Sequence, residues 1–334
     1  MKLYMYTLGI ETSCDETSCA VTKNCEVISN ITISSLKEHK KYGGVIPEIA
    51  TRAHLKNINR VFELALKTAN ITKKKIDLIA VTNRPGLIGS LVVGVNFAKA
   101  ISLALKKPLI GINHLHAHFF APYLDYNNKI KFPFLSLVVS GGHTEIYQVK
   151  SFNEIKTLGR TRDDACGEVF DKIAKAYHLG YPGGPVIDKL FNDAYKKEFL
   201  FKCGKIGFDL SFSGIKTALM YKKIQMEKNG EFNLKMKIKL VSSFQYSALE
   251  TIIKTTLEAV NKFKIYRVAC GGGVLANQYL RERLLEIEKQ TKISFLISPK
   301  KYTGDNAAMV AGLGFYLYNS LGVTHNLRMK PEAN

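Results

Sequence analysis

Residues 3–22 read LYMYTLGIETSCDETSCAVT, and residues 132–149 read FPFLSLVVSGGHTEIYQV. Each runs an apolar strand into a polar, small-residue turn and out into a second strand, the pattern of a hairpin. Each is then followed by a matching pair of segments. IDLIAVTNRPGLIGSLVVGVNFAKA from Ile76 and IYRVACGGGVLANQYLRERLLEI from Ile265 both read as buried strand, glycine loop, helix. PLIGINHLHAHFFAPYL from Pro108 and ISFLISPKKYTGDNAAMVAGLGFYL from Ile293 both read as strand, polar loop, helix. The same elements in the same order twice predict an α/β protein of two related lobes with a cleft between them. The first lobe is expected over 1–131, completed by the C-terminal helix at about 306–334, and the second over 132–305. The second carries a helical insert at about 151–240, with YPGGP at Tyr181 to Pro185, LSFSGIKT at Leu210 to Thr217, and a polar stretch from Tyr221 to Lys239 that reads as an exposed excursion or partner surface.

Composition agrees with a folded chain. The 334 residues are 46% hydrophobic and 23% charged, which excludes disorder, and 25 glycines with 9 prolines at no fixed period exclude a fibrous protein. Arg and Lys number 48 against 28 Asp and Glu, a net charge of +20 that favours phosphates, nucleic acid or an anionic surface as partner. The lysines are scattered in short runs such as Lys73 to Lys75 and Lys300-Lys301, not gathered in a tail. Six cysteines with no CxxC pair read as reduced thiols. The N-terminal apolar stretch is short and ends in Glu11, Asp15 and Glu16, unlike a signal peptide. Asn96 and Lys99, and then Asn319, interrupt the two most apolar later stretches, so these read as buried helices. A cytoplasmic protein without membrane association is expected.

Four turns can present backbone N–H groups to an anion: Glu11 to Thr17, Pro85 to Ser90, Ser140-Gly141-Gly142 with His143-Thr144, and Gly271 to Gly273. Four such turns at equivalent places in a duplicated architecture predict a nucleotide in the cleft. No GxxxxGK[ST] is present and no GxGxxG opens a helix after a first strand, which excludes a P-loop and a Rossmann dinucleotide site. His114, His116 and His118 begin the helix after the Pro108 segment, and positions four apart share a helix face, so His114 and His118 can hold one metal. Asp305 occupies the matching position in the second copy, which completes a two-histidine, one-carboxylate set suited to Fe(II) or Zn(II). HLHAH lacks the glutamate of HExxH, which counts against a zinc peptidase. Asp15 and Glu16, at the tip of the first hairpin, are placed to steer an amine or accept a proton.

GIETSCDET (Gly9 to Thr17), GGVIPEIATRAH (Gly43 to His54), HLHAH (His114 to His118), LVVSGGHT (Leu137 to Thr144), FDKIAKAYHLGYPGGP (Phe170 to Pro185), FSGIKT (Phe212 to Thr217), GGVLAN (Gly272 to Asn277) and GDNAAM (Gly304 to Met309) occur in order over nearly the whole chain. As a set they resemble the TsaD family, the bacterial and organellar type of tRNA N6-adenosine threonylcarbamoyltransferase. The resemblance implies the two-lobe actin, hexokinase and heat-shock ATPase-like (RNase H-like) fold, with a central nucleotide and metal cleft. It implies transfer of threonylcarbamoyl from threonylcarbamoyl-AMP to N6 of the adenosine beside the anticodon in tRNAs that read codons beginning with A. Family metal ligands carry over to His114, His118 and Asp305, with Fe(II) the usual ion and Zn(II) or Mg(II) as alternatives. Family ligand-binding positions fall on Val138, Val139, Ser140, Gly141, Gly142, Asp171, Gly184, Asp188 and Asn277. Protein partners of the TsaB and TsaE type, and a TsaC-type synthase supplying the adenylate, are implied too. One departure stands out: the family's Gly-Pro-Gly-Leu is here Arg84-Pro85-Gly86-Leu87.

With that resemblance, the metal is expected against a phosphate or carbamoyl oxygen, the Ser140 to Gly142 and Gly272 turns are expected to cradle the adenylate, and Asp15 or Glu16 is the candidate catalytic group. Three rivals of other classes remain at this point. A sugar or acetate-type kinase or ATPase of the same fold would consume ATP with a small acceptor and no tRNA. A metallopeptidase would cleave protein in a chelator-sensitive way. A non-catalytic nucleotide-binding chaperone would bind normally after loss of the metal site.

Overall fold

In the computed structural model, which describes residues 4–125 and 130–333, the chain forms two compact units, Met1–Ile130 with Ser298–Asn334, and Lys131–Ile297. The first unit contains β1 (Tyr6–Glu11), β2 (Glu16–Lys23), β3 (Glu26–Ser34), α1 (Leu36–His39), α2 (Pro47–Thr68), β4 (Leu78–Arg84), α3 (Ile88–Leu105), β5 (Leu109–Asn113) and α4 (His114–Phe120). Its five-stranded sheet has the order β3-β2-β1-β4-β5. The first three strands pair antiparallel, and β4 and β5 add in parallel beside β1.

Alternation along β1 and β4 decides the layering of this unit. Leu8, Ile10, Ile79 and Val81 enter a core with Val61 and Phe62 of α2 and Val95 and Ala98 of α3. Gly9 and Ala80 face the other way. A Cβ at Gly9 would stand 2.1 Å from the Ala307 carbonyl oxygen, and one at Gly314 would stand 2.5 Å from the Ala80 Cβ. The helix Ala307–Leu321, numbered last below, therefore lies directly on the sheet. α3 is long and apolar enough to cross a membrane by length and composition alone. Here it contributes Leu91, Val95 and Ala98 to the buried interior and packs on α2 and β4.

The second unit contains β6 (Phe134–Val139), β7 (Thr144–Ser151), β8 (Glu154–Arg160), α5 (Cys166–Ala176), α6 (Gly183–Leu190), β9 (Gly204–Ile206), β10 (Asp209–Ser211), α7 (Ser213–Lys228), α8 (Leu234–Phe263), β11 (Arg267–Gly271), α9 (Gln278–Gln290) and β12 (Ser294–Ile297); α10 (Ala307–Leu321) follows and belongs to the first unit. Its sheet order, β12-β11-β6-β7-β8, repeats that of the first unit element for element. Three antiparallel strands are again followed by two parallel ones. Leu135, Leu137 and Val139 of β6 and Val268 of β11 pack with α8, whose Phe244 ring lies 4.8 Å from that of Phe170 on α5. Gly272, directly after β11, has φ +101°, and a Cβ there would fall 2.4 Å from the Val139 carbonyl oxygen, so only glycine fits this turn.

Several expectations meet a different local structure. No loop separates β5 from its helix: the strand ends at Asn113 and α4 starts at His114. Residues 298–305 group with the first unit, because Lys301 Nζ and the Tyr302 hydroxyl bind Asp125 there at 2.8 and 2.7 Å. The 151–240 segment is not wholly helical, since it holds β8 and the β9–β10 hairpin. Tyr221 to Lys239 is the end of α7 and the start of α8, and Met226 within it is buried. Leu3, where the first hairpin was placed to begin, and Asn334 lie outside the described residues.

Candidate functional site

The abrupt passage from β5 into α4 fixes the histidines. Asn113 caps the helix, its side-chain oxygen accepting from the N–H groups of Leu115 (2.9 Å) and His116 (3.1 Å). His114 and His118, one turn apart, lie edge to face with ring centroids 4.5 Å apart. Asp305, which precedes α10, brings Oδ1 to 3.4 Å from His114 Nε2 and 3.1 Å from His118 Nε2. Asn306 holds this loop by accepting from Met309 N–H and donating to the Gly304 and Tyr302 carbonyls. The donor atoms of the three residues lie within 4.8 Å of one another. His116 points away, 5.1 Å from the Phe119 ring, and burial together with the Arg84 charge pushes its pKa down to about 4.

Glu11, at the end of β1, completes the site and was not singled out from sequence. It is fully buried, and it accepts from Ser13 N–H (2.5 Å), the Thr82 hydroxyl (2.5 Å) and His114 Nδ1 (3.0 Å). A carboxylate only accepts, so His114 carries its hydrogen on Nδ1, and its Nε2 lone pair faces the Asp305 oxygen. Lone pair against lone pair is repulsive unless a proton or metal cation lies between. Without a metal the proton takes that place. Burial opposes charge on His114, yet Asp305 and Glu11 outweigh it and raise its pKa well above the imidazole range. Burial likewise opposes charge on Asp305, yet the two histidines hold it well below the carboxylate range. Two imidazole nitrogens and one carboxylate oxygen, with His114 oriented from behind by Glu11, fit a divalent cation. His118 Nδ1, by contrast, is buried with no hydrogen-bond partner among the described residues.

Asp15 and Glu16 sit on the neighbouring β1–β2 turn, and two buried histidines hold that turn. His54 Nε2 donates to the Cys14 carbonyl (2.9 Å), so its Nδ1 accepts from the Thr17 hydroxyl (2.8 Å). His39 Nδ1 accepts from Ile46 N–H (3.2 Å), and its Nε2 donates to Ser35 Oγ (3.1 Å), which in turn donates to the Asp15 carbonyl (2.9 Å). Glu16 accepts from Ser34 Oγ at 3.2 Å, and burial together with the Asp305 and Asp15 charges raises its pKa well above the usual carboxylate value. Arg84 pairs with Glu332 at 3.0 Å, both half exposed. In place of a glycine it ties the Arg84 turn to the C-terminal segment, whose Ala333 carbonyl also accepts from Gly86 N–H.

In the second unit a cavity of about 450 Å³ is lined by Gly141, Asp171, Gly184, Asp188 and Asn277 among others. A Cβ at Gly141, Gly184 or Gly273 would meet nothing within 4 Å, so bare backbone faces the space at three points. Asp171 accepts from Gly183 N–H at 2.6 Å, and Asp188 accepts from Gln278 N–H at 3.0 Å. Val138 and Val139 are fully buried in β6 and do not line the cavity. Ser140 is also buried, its N–H bonded to the His143 carbonyl (2.7 Å), while Gly142 is exposed at the turn. These four shape the turn that presents Gly141. Gly273, of the turn after β11 that was expected to cradle the adenylate, lines the cavity as well; Gly167, Phe170 and Val274 also line it and were missed as lining residues, because only the fold brings them to it.

The model of the family described as TsaD, tRNA N6-adenosine threonylcarbamoyltransferase, matches residues 26–312. A curated relative of that name from Thermosipho africanus is 46% identical over 333 residues, covering 99% of each chain. Among solved structures, full-length HypF in its phosphate- and nucleotide-bound form superposes with a TM-score of 0.61 at 12% identity, over 97% of this chain and 57% of that one. The activator of 2-hydroxyisocaproyl-CoA dehydratase from Clostridium difficile gives 0.50 at 14% identity, over 96% and 99%. At such identities these two likenesses speak to the fold alone.

Proposed function

The chain belongs to the TsaD family of tRNA N6-adenosine threonylcarbamoyltransferases, and from that membership we propose how its two sites divide the work. The protein is a transferase that places threonylcarbamoyl on N6 of an adenosine in tRNA. We propose threonylcarbamoyl-AMP as donor, and as acceptor the adenosine beside the anticodon in tRNAs reading codons that begin with A. The observation that carries the donor reading is the glycine-faced cavity with the Asp188 carboxylate and Asn277 amide on its wall. It has room for an adenylate and hydrogen-bonding groups for ribose.

The N6 amine is a weak nucleophile because its lone pair is shared with the ring. Catalysis must therefore orient it and make the carbamoyl carbon more electrophilic. In the transfer the N6–C bond forms, the C–O bond to phosphate breaks, AMP leaves, and N6 gives up one proton. Held by His114, His118 and Asp305, a divalent cation would supply Lewis acidity toward an oxygen of the reacting group; two imidazoles and a carboxylate suit Fe(II) or Zn(II) better than Mg(II), and family membership favours Fe(II). Glu11 holds His114 in the ligating tautomer. Glu16, with its raised proton affinity, is the candidate proton acceptor, and Asp15 beside it positions the base. Wild-type single-turnover rates in both Asp15→Ala and Glu16→Ala would remove that assignment.

The +20 charge supports tRNA as the macromolecular partner. TsaB- and TsaE-type partners, a TsaC-type synthase as the source of donor, and a cytoplasmic setting complete the proposal on the strength of family membership. The test is nucleoside mass spectrometry of tRNA from cells depleted of the protein, rescued with wild type or with His114→Ala plus Asp305→Ala. Threonylcarbamoyladenosine restored by wild type alone is the expected result. Unchanged modification on depletion, with no second copy of the enzyme present, would overturn the proposal.

A further inference from the structure

Gln245, on α8, has no exposed surface, yet it bridges two groups on the wall of the second unit's cavity. Its Nε2 donates to Asp188 Oδ1 at 3.2 Å, and its Oε1 accepts from Asn277 Nδ2 at 3.0 Å. The orientation of this chain of amides is forced from one end. A carboxylate only accepts, so Gln245 must turn its NH₂ toward Asp188; its carbonyl oxygen then faces Asn277, which must answer with its own NH₂. Asn277 Oδ1 is left to accept from Leu280 N–H at 2.9 Å, where it caps α9. Asp188 Oδ2 is fixed separately by Gln278 N–H at 3.0 Å. One buried amide thus links α6, α8 and the N-terminus of α9, and sets which atoms of Asp188 and Asn277 remain to meet a ligand.

We propose that Gln245 is a positioning residue for ligand binding in this cavity: it fixes the Asp188 carboxylate and the Asn277 amide in the one arrangement that offers acceptors and a donor to the ribose hydroxyls of an adenylate. The inference rests on reading the cavity as the nucleotide pocket. Gln245 touches no ligand itself, so its effect travels only through its two partners. Loss of its amide leaves a half-buried Asp188 oxygen and the buried Asn277 NH₂ unpaired, free to turn toward each other or toward water.

The experiment measures AMP binding to the full-length protein by calorimetry for wild type, Gln245→Met, Asp188→Ala and the double variant, with melting curves alongside. Gln245→Met keeps the volume and removes the amide, and it should weaken AMP at least ten-fold. In the Asp188→Ala background the same change should cost less than three-fold, because the group it orients is gone. An unchanged AMP affinity in Gln245→Met, or an equal loss in both backgrounds, would overturn the inference and reduce Gln245 to a packing residue. If Asp188→Ala itself leaves AMP binding unchanged, the pocket assignment fails first, and that failure is read from a different variant. Should Gln245→Met melt below the assay temperature, Gln245→Glu serves instead. It retains the acceptor for Asn277 but sets a carboxylate against Asp188, and its loss of AMP affinity should be relieved at least three-fold by Asp188→Asn, which removes the repulsion. No relief would count against the inference.

Discussion

Glu11→Gln changes one atom of a fully buried side chain and should reach the candidate metal site through a hydrogen. Both Thr82 Oγ1 (2.5 Å) and His114 Nδ1 (3.0 Å) donate to Glu11 Oε2, while Ser13 N–H (2.5 Å) donates to Oε1. In the variant, the amide oxygen stays with Ser13 N–H, because a backbone N–H cannot reverse its role. The new NH₂ then faces His114 Nδ1, which must become an acceptor. The imidazole hydrogen moves to Nε2, the atom 3.4 Å from Asp305 Oδ1, and blocks the position from which His114 would bind a metal. Disturbing a group of this kind behind a metal ligand costs roughly 10- to 100-fold in affinity, or about 1.4–2.8 kcal/mol. Co(II) serves as the probe, since its visible absorption reports ligation and competition against a chromogenic chelator gives the dissociation constant. The expected result is a 10- to 100-fold rise in that constant for Glu11→Gln and a larger one for His118→Ala. A Glu11→Gln protein that melts as wild type and binds Co(II) within two-fold of it would refute the orienting role of Glu11.

Gly184→Val should weaken AMP binding more than ten-fold while leaving the melting point nearly unchanged, because its Cβ enters open space beside the cavity; normal AMP affinity would show that the cavity is not the pocket. Gly9→Ala should destabilise by about 2–3 kcal/mol or more in urea titration, since its Cβ meets the Ala307 carbonyl at 2.1 Å and α10 must lift from the sheet. Asp163 tests pH dependence: slight burial opposes its charge, but four hydrogen bonds from Ser211, Phe212 and Ser213 lower its pKa. A depressed carboxylate pKa stabilises above the unfolded value of about 3.9 and stops doing so as pH falls through the lower folded value. Asp163→Asn should therefore lower stability at neutral pH and flatten its fall below about pH 4, read by melting curves across pH. Arg84→Gly removes an exposed pair with Glu332 and should cost about 0–1 kcal/mol, with transferase activity kept.

Much of the fold was legible because its strongest signals are local. The apolar runs and turns of β1–β2 and β6–β7, and the strand, glycine turn and helix after β4 and β11, depend on neighbours in sequence and form where expected. The clustering of His114, His118 and Asp305 was legible for the same reason in part: His114 and His118 share one face of α4 by helical period, and Asp305 was reached through the repeat. Glu11 was hidden because its meaning depends on partners 71 and 103 residues away, Thr82 and His114. It is the last residue of β1, after three successive fully buried positions, Leu8 to Ile10, with Leu8 and Ile10 in the core and Gly9 against α10, and a carboxylate in that place is a signal that sequence alone offered. Gln245 carried no comparable mark, sitting in an otherwise ordinary buried run of α8. The third strands β3 and β8 were missed because they alternate weakly, with mixed burial along their length.

The repeat also shows how one plan is furnished with different side chains in the two units. In the first, the leading strand ends in Glu11, the turn after it carries Asp15 and leads into Glu16 of β2, and the strand after the parallel neighbour runs straight into a helix that presents imidazoles. In the second, the equivalent leading turn is Ser140-Gly141-Gly142, and the turn after β11 is Gly272-Gly273, so bare backbone replaces charge and the space becomes a cavity. The connection after the last parallel strand differs most between the copies. After β5 it is absent, which puts His114 at the first helical position; after β12 it runs from Ser298 to Asn306, long enough to carry Asp305 into the first unit beside those histidines. The equivalent connections of the repeat thus bring His114, His118 and Asp305 into one cluster. Shortening that second connection should remove Asp305 from the imidazoles without touching either sheet. Deletion of Lys300 and Lys301 is the direct trial, with Co(II) affinity lost and the cavity's AMP affinity retained as the expected pair of results; retention of both would show that the loop length does not set the position of Asp305.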